Sequence, residues 1–134
     1  MALKDKAYKA STDDIQVEVV PYYVPGESNP AIGKFIYSYH VVITNNSREN
    51  VKLLTRHWFI ADSIQERREV KGDGVVGQQP ELSPGQSFEY TSWCPLHSPI
   101  GKMYGYYTFV NLSKNTTFQV EIPEFILVSD FKLN

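Results

Sequence analysis

Apolar residues in this chain recur at every second position, run after run, and no window sustains a helical period. A period of two sends successive side chains to opposite faces of a strand, so the pattern confines the chain to β structure. Ile15, Val17 and Val19 alternate with Gln16 and Glu18. Phe35, Tyr37, Tyr39, Val41 and Ile43 form one side of a longer run. The run 51–62 places Leu54, Trp58 and Ile60 on one side and Leu53, Phe59 and Ala61 on the other. Phe88 and Tyr90, the run 103–110, and Phe118, Val120 and Ile122 continue the period. β-branched and aromatic residues dominate these runs, as suits a pleated, half-buried surface.

Turn chemistry separates the runs. Pro25, Gly26, Asn29 and Pro30 divide the first from the second, and Asn45-Asn46-Ser47 sits where a hairpin is expected. Ser83-Pro84-Gly85 suits a type II turn. Ser98-Pro99-Ile100-Gly101 and residues 111–115 supply two more breaks. Ile64, Val70 and the charges Glu66, Arg67, Arg68, Glu69 and Lys71 read as an exposed edge strand whose charges discourage pairing. The sum is an all-β domain over residues 14–128, with seven to eight antiparallel strands packed as a β-sandwich. A closed barrel is the alternative. Residues 1–13 read as a flexible leader and 129–134 as a tail.

With 134 residues, the chain is long enough for one domain with a sizeable core. Thirteen basic residues against fifteen acidic ones give a net charge of −2, which leaves no electrostatic footprint for duplex nucleic acid or an anionic membrane. No apolar run is long enough to span a bilayer, and the N-terminal residues carry no apolar signal core. The single cysteine, Cys94, cannot form an internal disulfide, and a cytoplasmic location is expected.

Residues 72–77, Gly-Asp-Gly-Val-Val-Gly, have the G-x-G-x-x-G spacing of a dinucleotide-binding loop. That loop works by opening a helix, whose N-terminal amides meet the pyrophosphate. Pro80, Pro84 and Gly85 follow too closely here for a helix to start. Two readings survive. In the first, the glycines permit positive φ or close backbone approach at a turn or bulge. In the second, the amides of Gly74, Val75, Val76 and Gly77 form an anion-binding nest, with Lys71, Gly72 and Arg56 beside it. Asp73 within the loop counts against the second.

His40, His57 and His97 lack local metal-ligand spacing, and no metal or cofactor is expected. Cys94, followed directly by Pro95, reads as a buried thiol rather than a nucleophile. Tyr104 and Tyr106 share one face of a strand and Tyr107 takes the other, so one set could form an exposed aromatic surface.

Several phrases in fixed order resemble the ApaG family: Leu53-Leu54-Thr55-Arg56-His57-Trp58, the glycine segment through Pro80, Leu82-Ser83-Pro84-Gly85, Cys94-Pro95-Leu96, Gly101-Lys102-Met103-Tyr104-Gly105-Tyr106-Tyr107 and Ile122-Pro123-Glu124-Phe125-Ile126-Leu127. The resemblance covers residues 14–128. It implies a fibronectin type III/immunoglobulin-like sandwich; in such a fold Trp58 resembles the buried strand tryptophan, and Tyr90 or Phe88 sits near the tyrosine corner, although a Phe has no hydroxyl. It also implies a bacterial protein-interaction module, with family links to a diadenosine tetraphosphate hydrolase and to cobalt and magnesium homeostasis. Trp93 and His97-Ser98 depart from the family pattern.

The expected function is non-enzymatic binding of a protein partner through Tyr104, Tyr106 and Trp93. The alternative is pyrophosphate or a dinucleoside polyphosphate held at the glycine loop. A hydrolase lacks a recognisable base, nucleophile and metal-carboxylate cluster. An uncovered sheet edge would allow a homodimer.

Overall fold

The computed structural model of the chain describes residues 6–64 and 66–129. They form nine antiparallel strands: β1 (Tyr8–Thr12), β2 (Ile15–Tyr23), β3 (Phe35–Asn45), β4 (Val51–Asp62), β5 (Arg68–Asp73), β6 (Glu81–Leu82), β7 (Ser87–Leu96), β8 (Ile100–Asn111) and β9 (Thr116–Val128). The first sheet runs β1-β2-β3-β7; the second runs β5-β4-β8-β9, with β6 paired to β4. Two single turns of 3-10 helix, Pro25–Glu27 and Pro30–Ile32, join β2 to β3, and no α-helix occurs among the described residues. The expected all-β sandwich is therefore what forms, with nine strands rather than seven or eight.

Alternation predicts the core well. Phe35, Tyr37, Tyr39, Val41 and Ile43 of β3 are all buried, as are Ile15, Val17 and Val19 of β2. Between the sheets Trp58 meets Tyr39 at 5.3 Å, Phe125 at 5.9 Å and Tyr107 at 6.4 Å between ring centroids, each edge-on. Such pairs contribute about 0.5–1.5 kcal/mol each beyond the burial of their area.

Four local expectations change. First, residues 8–12 are strand β1, not leader. Asp13 and Asp14 both adopt positive φ, 51° and 64°, and turn β1 back onto β2. Tyr8 packs on Phe125, and the Glu121 N–H donates to the Thr12 hydroxyl at 3.1 Å, closing this side of the sandwich. At the other end Ser129 is buried, its N–H donating to the Pro99 carbonyl. Residues 130–134 of the expected tail, like 1–5 of the leader, lie outside the described residues.

Second, Leu53 rather than Leu54 shares the core face with Trp58. The β4–β8 register slips between Leu53 and Thr55, and the extra residue exchanges the faces upstream of it. Third, Asn45-Asn46-Ser47 is not a hairpin, because β3 and β4 belong to different sheets. The buried Asn45 amide holds this corner by donating to the carbonyls of Glu49 and Leu82 and accepting from the Ser47 N–H and hydroxyl. Fourth, the Tyr90 hydroxyl does not reach back to the backbone as in a tyrosine corner. It pairs with the Tyr107 hydroxyl inside the core. The Ser83–Gln86 turn forms as expected, with the Gln86 N–H donating to the Ser83 carbonyl and Gly85 at φ 86°.

Strand β5 is an edge, and Arg68, Glu69, Lys71 and Asp73 make four of its six residues charged. Strand β7 is the edge of the other sheet on the same side, β1 being its opposite edge. Between these two edges lies a cleft of about 220 Å³, lined by Tyr39, Arg56, Trp58, Arg68 and Cys94 among others.

Candidate functional site

The glycine segment leaves β5 at Asp73 and closes into a two-residue turn. Val75 N–H donates to the Gln78 carbonyl at 2.8 Å, and Gln78 N–H returns to the Val75 carbonyl at 2.9 Å. The central residues Val76 and Gly77 take φ of 42° and 79°, the signature of a type I′ turn. Val75 is buried in the core, while Val76 is 52% exposed. Gly74 has φ +64°, and a Cβ there would stand 2.2 Å from the Gln78 carbonyl oxygen. The spacing thus has a backbone explanation.

The nest does not form as the sequence suggests. Gly74 N–H donates to the Leu54 carbonyl at 2.8 Å, and Val75 N–H is committed inside the turn, so neither amide faces outward. Nor do the two cations converge. Arg56 pairs with Gly72 and with the buried Tyr107, which sets it on the inner face of the sheet. Its guanidinium lies over Gly72, where a Cβ would come within 2.8 Å, and Nη1 donates to the carbonyls of Asp73 and Gly74 at 3.0 Å each. Lys71 is one residue from Gly72 and pairs with His57, so it stands on the outer face.

That outer face carries an aromatic strip. Tyr104 and Tyr106 point outward and Tyr107 is buried, as the alternation of β8 predicts. Register with β4 sets Phe59 opposite Tyr104 and His57 opposite Tyr106. Phe59 stacks on Tyr104 at 5.2 Å, and His57 stacks on Phe59 at 4.6 Å. The Arg67 guanidinium lies 4.8 Å from the Phe59 centroid and donates to the Tyr104 hydroxyl at 3.1 Å. His57 Nε2 lies 2.7 Å from a Glu69 carboxylate oxygen, and Nδ1 lies 2.9 Å from the Tyr106 hydroxyl. An ionised carboxylate only accepts, so Nε2 carries a proton and donates to Glu69. The His57 hydrogen bond, with its charge and those of Lys71 and Arg67, holds the Glu69 carboxyl below its usual range. Sequence reasoning finds Tyr104 and Tyr106 but misses His57, Phe59 and Arg67, which only strand register brings to them.

Trp93 lies apart from this strip, on β7 of the opposite sheet, with 54% of its surface exposed. Cys94 is buried, and burial pushes its thiol up to about 11. Among the described residues no group of three or more His, Cys, Asp and Glu side chains is placed to hold a metal ion. Asp62 is instead structural. Its carboxylate accepts the His97 N–H at 2.6 Å, the Ser98 hydroxyl and the Ile64 N–H at 3.3 Å, tying β4 to the β7–β8 crossover. Burial pushes this carboxyl upward, but the three donors outweigh it and its net shift is downward.

Fold and surface together define a small antiparallel β-sandwich protein whose outer second sheet carries aromatic side chains among charges. The ApaG domain model matches residues 25–111. The protein ApaG of Agrobacterium fabrum is 47% identical over 122 residues, covering 91% of this chain and 93% of that one. The ApaG of Mesorhizobium japonicum is 46% identical over 120 residues, covering 90% and 92%. The crystal structure of the ApaA protein from Bordetella pertussis superposes with a TM-score of 0.85 at 44% identity, over 90% of this chain and 98% of that one. This chain belongs to the ApaG family. No helix among the described residues is long and apolar enough to cross a membrane.

Proposed function

We propose that this chain is a non-catalytic binding module that docks a protein partner on the outer face of the β5-β4-β8-β9 sheet. The carrying observation is the half-buried row His57, Phe59, Tyr104 and Tyr106, stacked on one another and flanked by Arg67, Glu69 and Lys102. Rigid aromatics lose little conformational entropy on binding, and Tyr and Arg are enriched among residues that carry interface energy. Inward-facing positions build the core, whereas none of these four rings is needed to fill the space between the sheets. Cytoplasmic residence belongs to the same proposal, and the lone buried thiol is consistent with a reducing compartment.

A photo-crosslinking residue introduced at Tyr104 or Lys102 should trap one defined protein in a bacterial cell. Tyr104→Ala with Tyr106→Ala should abolish that capture while circular dichroism and melting temperature stay near wild type. Undiminished capture by the folded double variant would remove the partner from this face. The pyrophosphate reading has weaker support, since Gly74 and Val75 amides are committed and Arg56 and Lys71 occupy opposite faces. Calorimetry with pyrophosphate and diadenosine tetraphosphate, with and without Mg²⁺, tests it: binding heat lost on Lys71→Ala would restore it.

A further inference from the structure

The two edge strands on the β5/β7 side of the sandwich are protected unequally. Strand β5 is two-thirds charged, which deters pairing with another chain. Strand β7 is ten residues long and carries one charge, Glu89. Its backbone orientation follows from β3. Ile36 directs its carbonyl to the Val24 N–H and its N–H to the Ser28 hydroxyl, both on the β2 side. The Ile36–Pro95 pair is therefore not hydrogen-bonded, consistent with Pro95 having no N–H. By alternation the N–H and C=O groups of Glu89, Thr91 and Trp93 also point away from β3, along the free edge. Just beyond them the edge is stopped, because Arg68 donates to the Pro95 carbonyl at 2.6 Å.

We infer that β7 pairs antiparallel with β7 of a second copy about a two-fold axis at Thr91, joining two four-stranded sheets into one. Registry selects this arrangement. Centred on Glu89, the axis would set the two Glu89 carboxylates face to face, and like charges directly opposed are destabilising. Centred on Trp93, it would set Pro95 against Thr91 and lose a donor on each side. Centred on Thr91, Glu89 of each copy meets Trp93 of the other. All three facing pairs then exchange bonds, about six in total. Pairing would also cover part of Trp93, the most exposed aromatic side chain on this strand. The surface is self-complementary, as a two-fold interface requires. It lies on the opposite sheet from the aromatic strip and does not depend on it.

Sedimentation equilibrium of the full chain should show a monomer–dimer equilibrium. Trp93→Glu opposes two acidic side chains and should weaken dimerisation at least tenfold. Trp93→Lys, which faces Glu89 of the second copy, should leave it within about threefold of wild type. Thr91→Pro, which removes an outward N–H, should yield monomer. In amide exchange the Glu89, Thr91 and Trp93 N–H groups should gain protection with rising protein concentration. A monomer at millimolar concentration, a dimer indifferent to Trp93→Glu, or protection confined to β5 would each overturn the inference. If a variant misfolds, the concentration-dependent exchange of the wild-type chain decides alone.

Discussion

Alanine at Gly74 should be the most damaging single change in the glycine segment, for reasons that belong to the backbone. Its φ of +64° costs an L side chain about 1–2 kcal/mol. The new Cβ would sit 2.2 Å from the Gln78 carbonyl oxygen, which already accepts the Val75 N–H. Relief means moving Gln78, and that opens a turn closed by two reciprocal bonds worth about 1 kcal/mol each. The total is about 3–4 kcal/mol. At ~4 °C per kcal/mol for a domain of this size, the melting temperature should fall by about 12–16 °C. Gly77→Ala meets open space at φ +79° and should cost only about 1 kcal/mol, or ~4 °C. Gly72→Ala differs again, because it displaces the flexible Arg56 guanidinium and forfeits its bonds to two carbonyls. Its cost, about 1–2 kcal/mol, should vanish in an Arg56→Ala background. Thermal melts of the three variants and the double variant test the set. A Gly74→Ala protein melting within about 3 °C of wild type, or a Gly77→Ala protein equally unstable, would refute the backbone account.

Three further outcomes are expected. Tyr90→Phe leaves the buried Tyr107 hydroxyl without its bond and should cost about 1–3 kcal/mol, and adding Tyr107→Phe should recover much of it; chemical denaturation of both variants measures this. Asp62→Asn should destabilise by about 2–3 kcal/mol at neutral pH through loss of charge-assisted bonds. Because the folded Asp62 carboxyl is held below its ordinary 3.8, its contribution is fully present above that value and is lost as pH falls through the lower folded value. Denaturation midpoints between pH 6 and 2 should therefore drop less steeply in Asp62→Asn than in wild type. Val76→Asn, at an exposed position with φ 42°, should raise stability by about 0.5–1 kcal/mol, since Asn tolerates the left-handed region better than a β-branched residue; a melting scan detects it.

Strand β3 is legible from the sequence because both its periodicity and its burial are unbroken from Phe35 to Asn45. Strand β1 is not, because Lys9, Ala10, Ser11 and Thr12 carry too little apolar contrast, and the strand is held by pairing with β2 and by the ring of Phe125. The Leu54 bulge eludes any period-two reading, since one inserted residue leaves each half of β4 regular. Asn45-Asn46-Ser47 looks like a hairpin because turn chemistry is local, whereas the choice between returning to the same sheet and crossing to the other is made by distant packing. The same limit governs the site. Parity within β8 places Tyr104 with Tyr106, but Phe59 and His57 join them only through cross-strand register. Register likewise separates Arg56 from Lys71, the two cations that the anion-site reading sets beside the glycines.

The seam between β1 and β9 also bears on how the domain can be rewired. Lys6 and Tyr8 border the same pocket as Ile126 and Val128, so the two ends of the described chain emerge side by side. A short Gly-Ser linker could join them covalently, and new termini could be opened in the exposed β8–β9 turn around Ser113. Such a circular permutant would keep both sheets intact while moving the attachment points to the end of the sandwich. A tag or surface tether attached at the β1/β9 seam, by contrast, leaves the β5/β7 side, at the opposite edges of both sheets, directed away from its anchor.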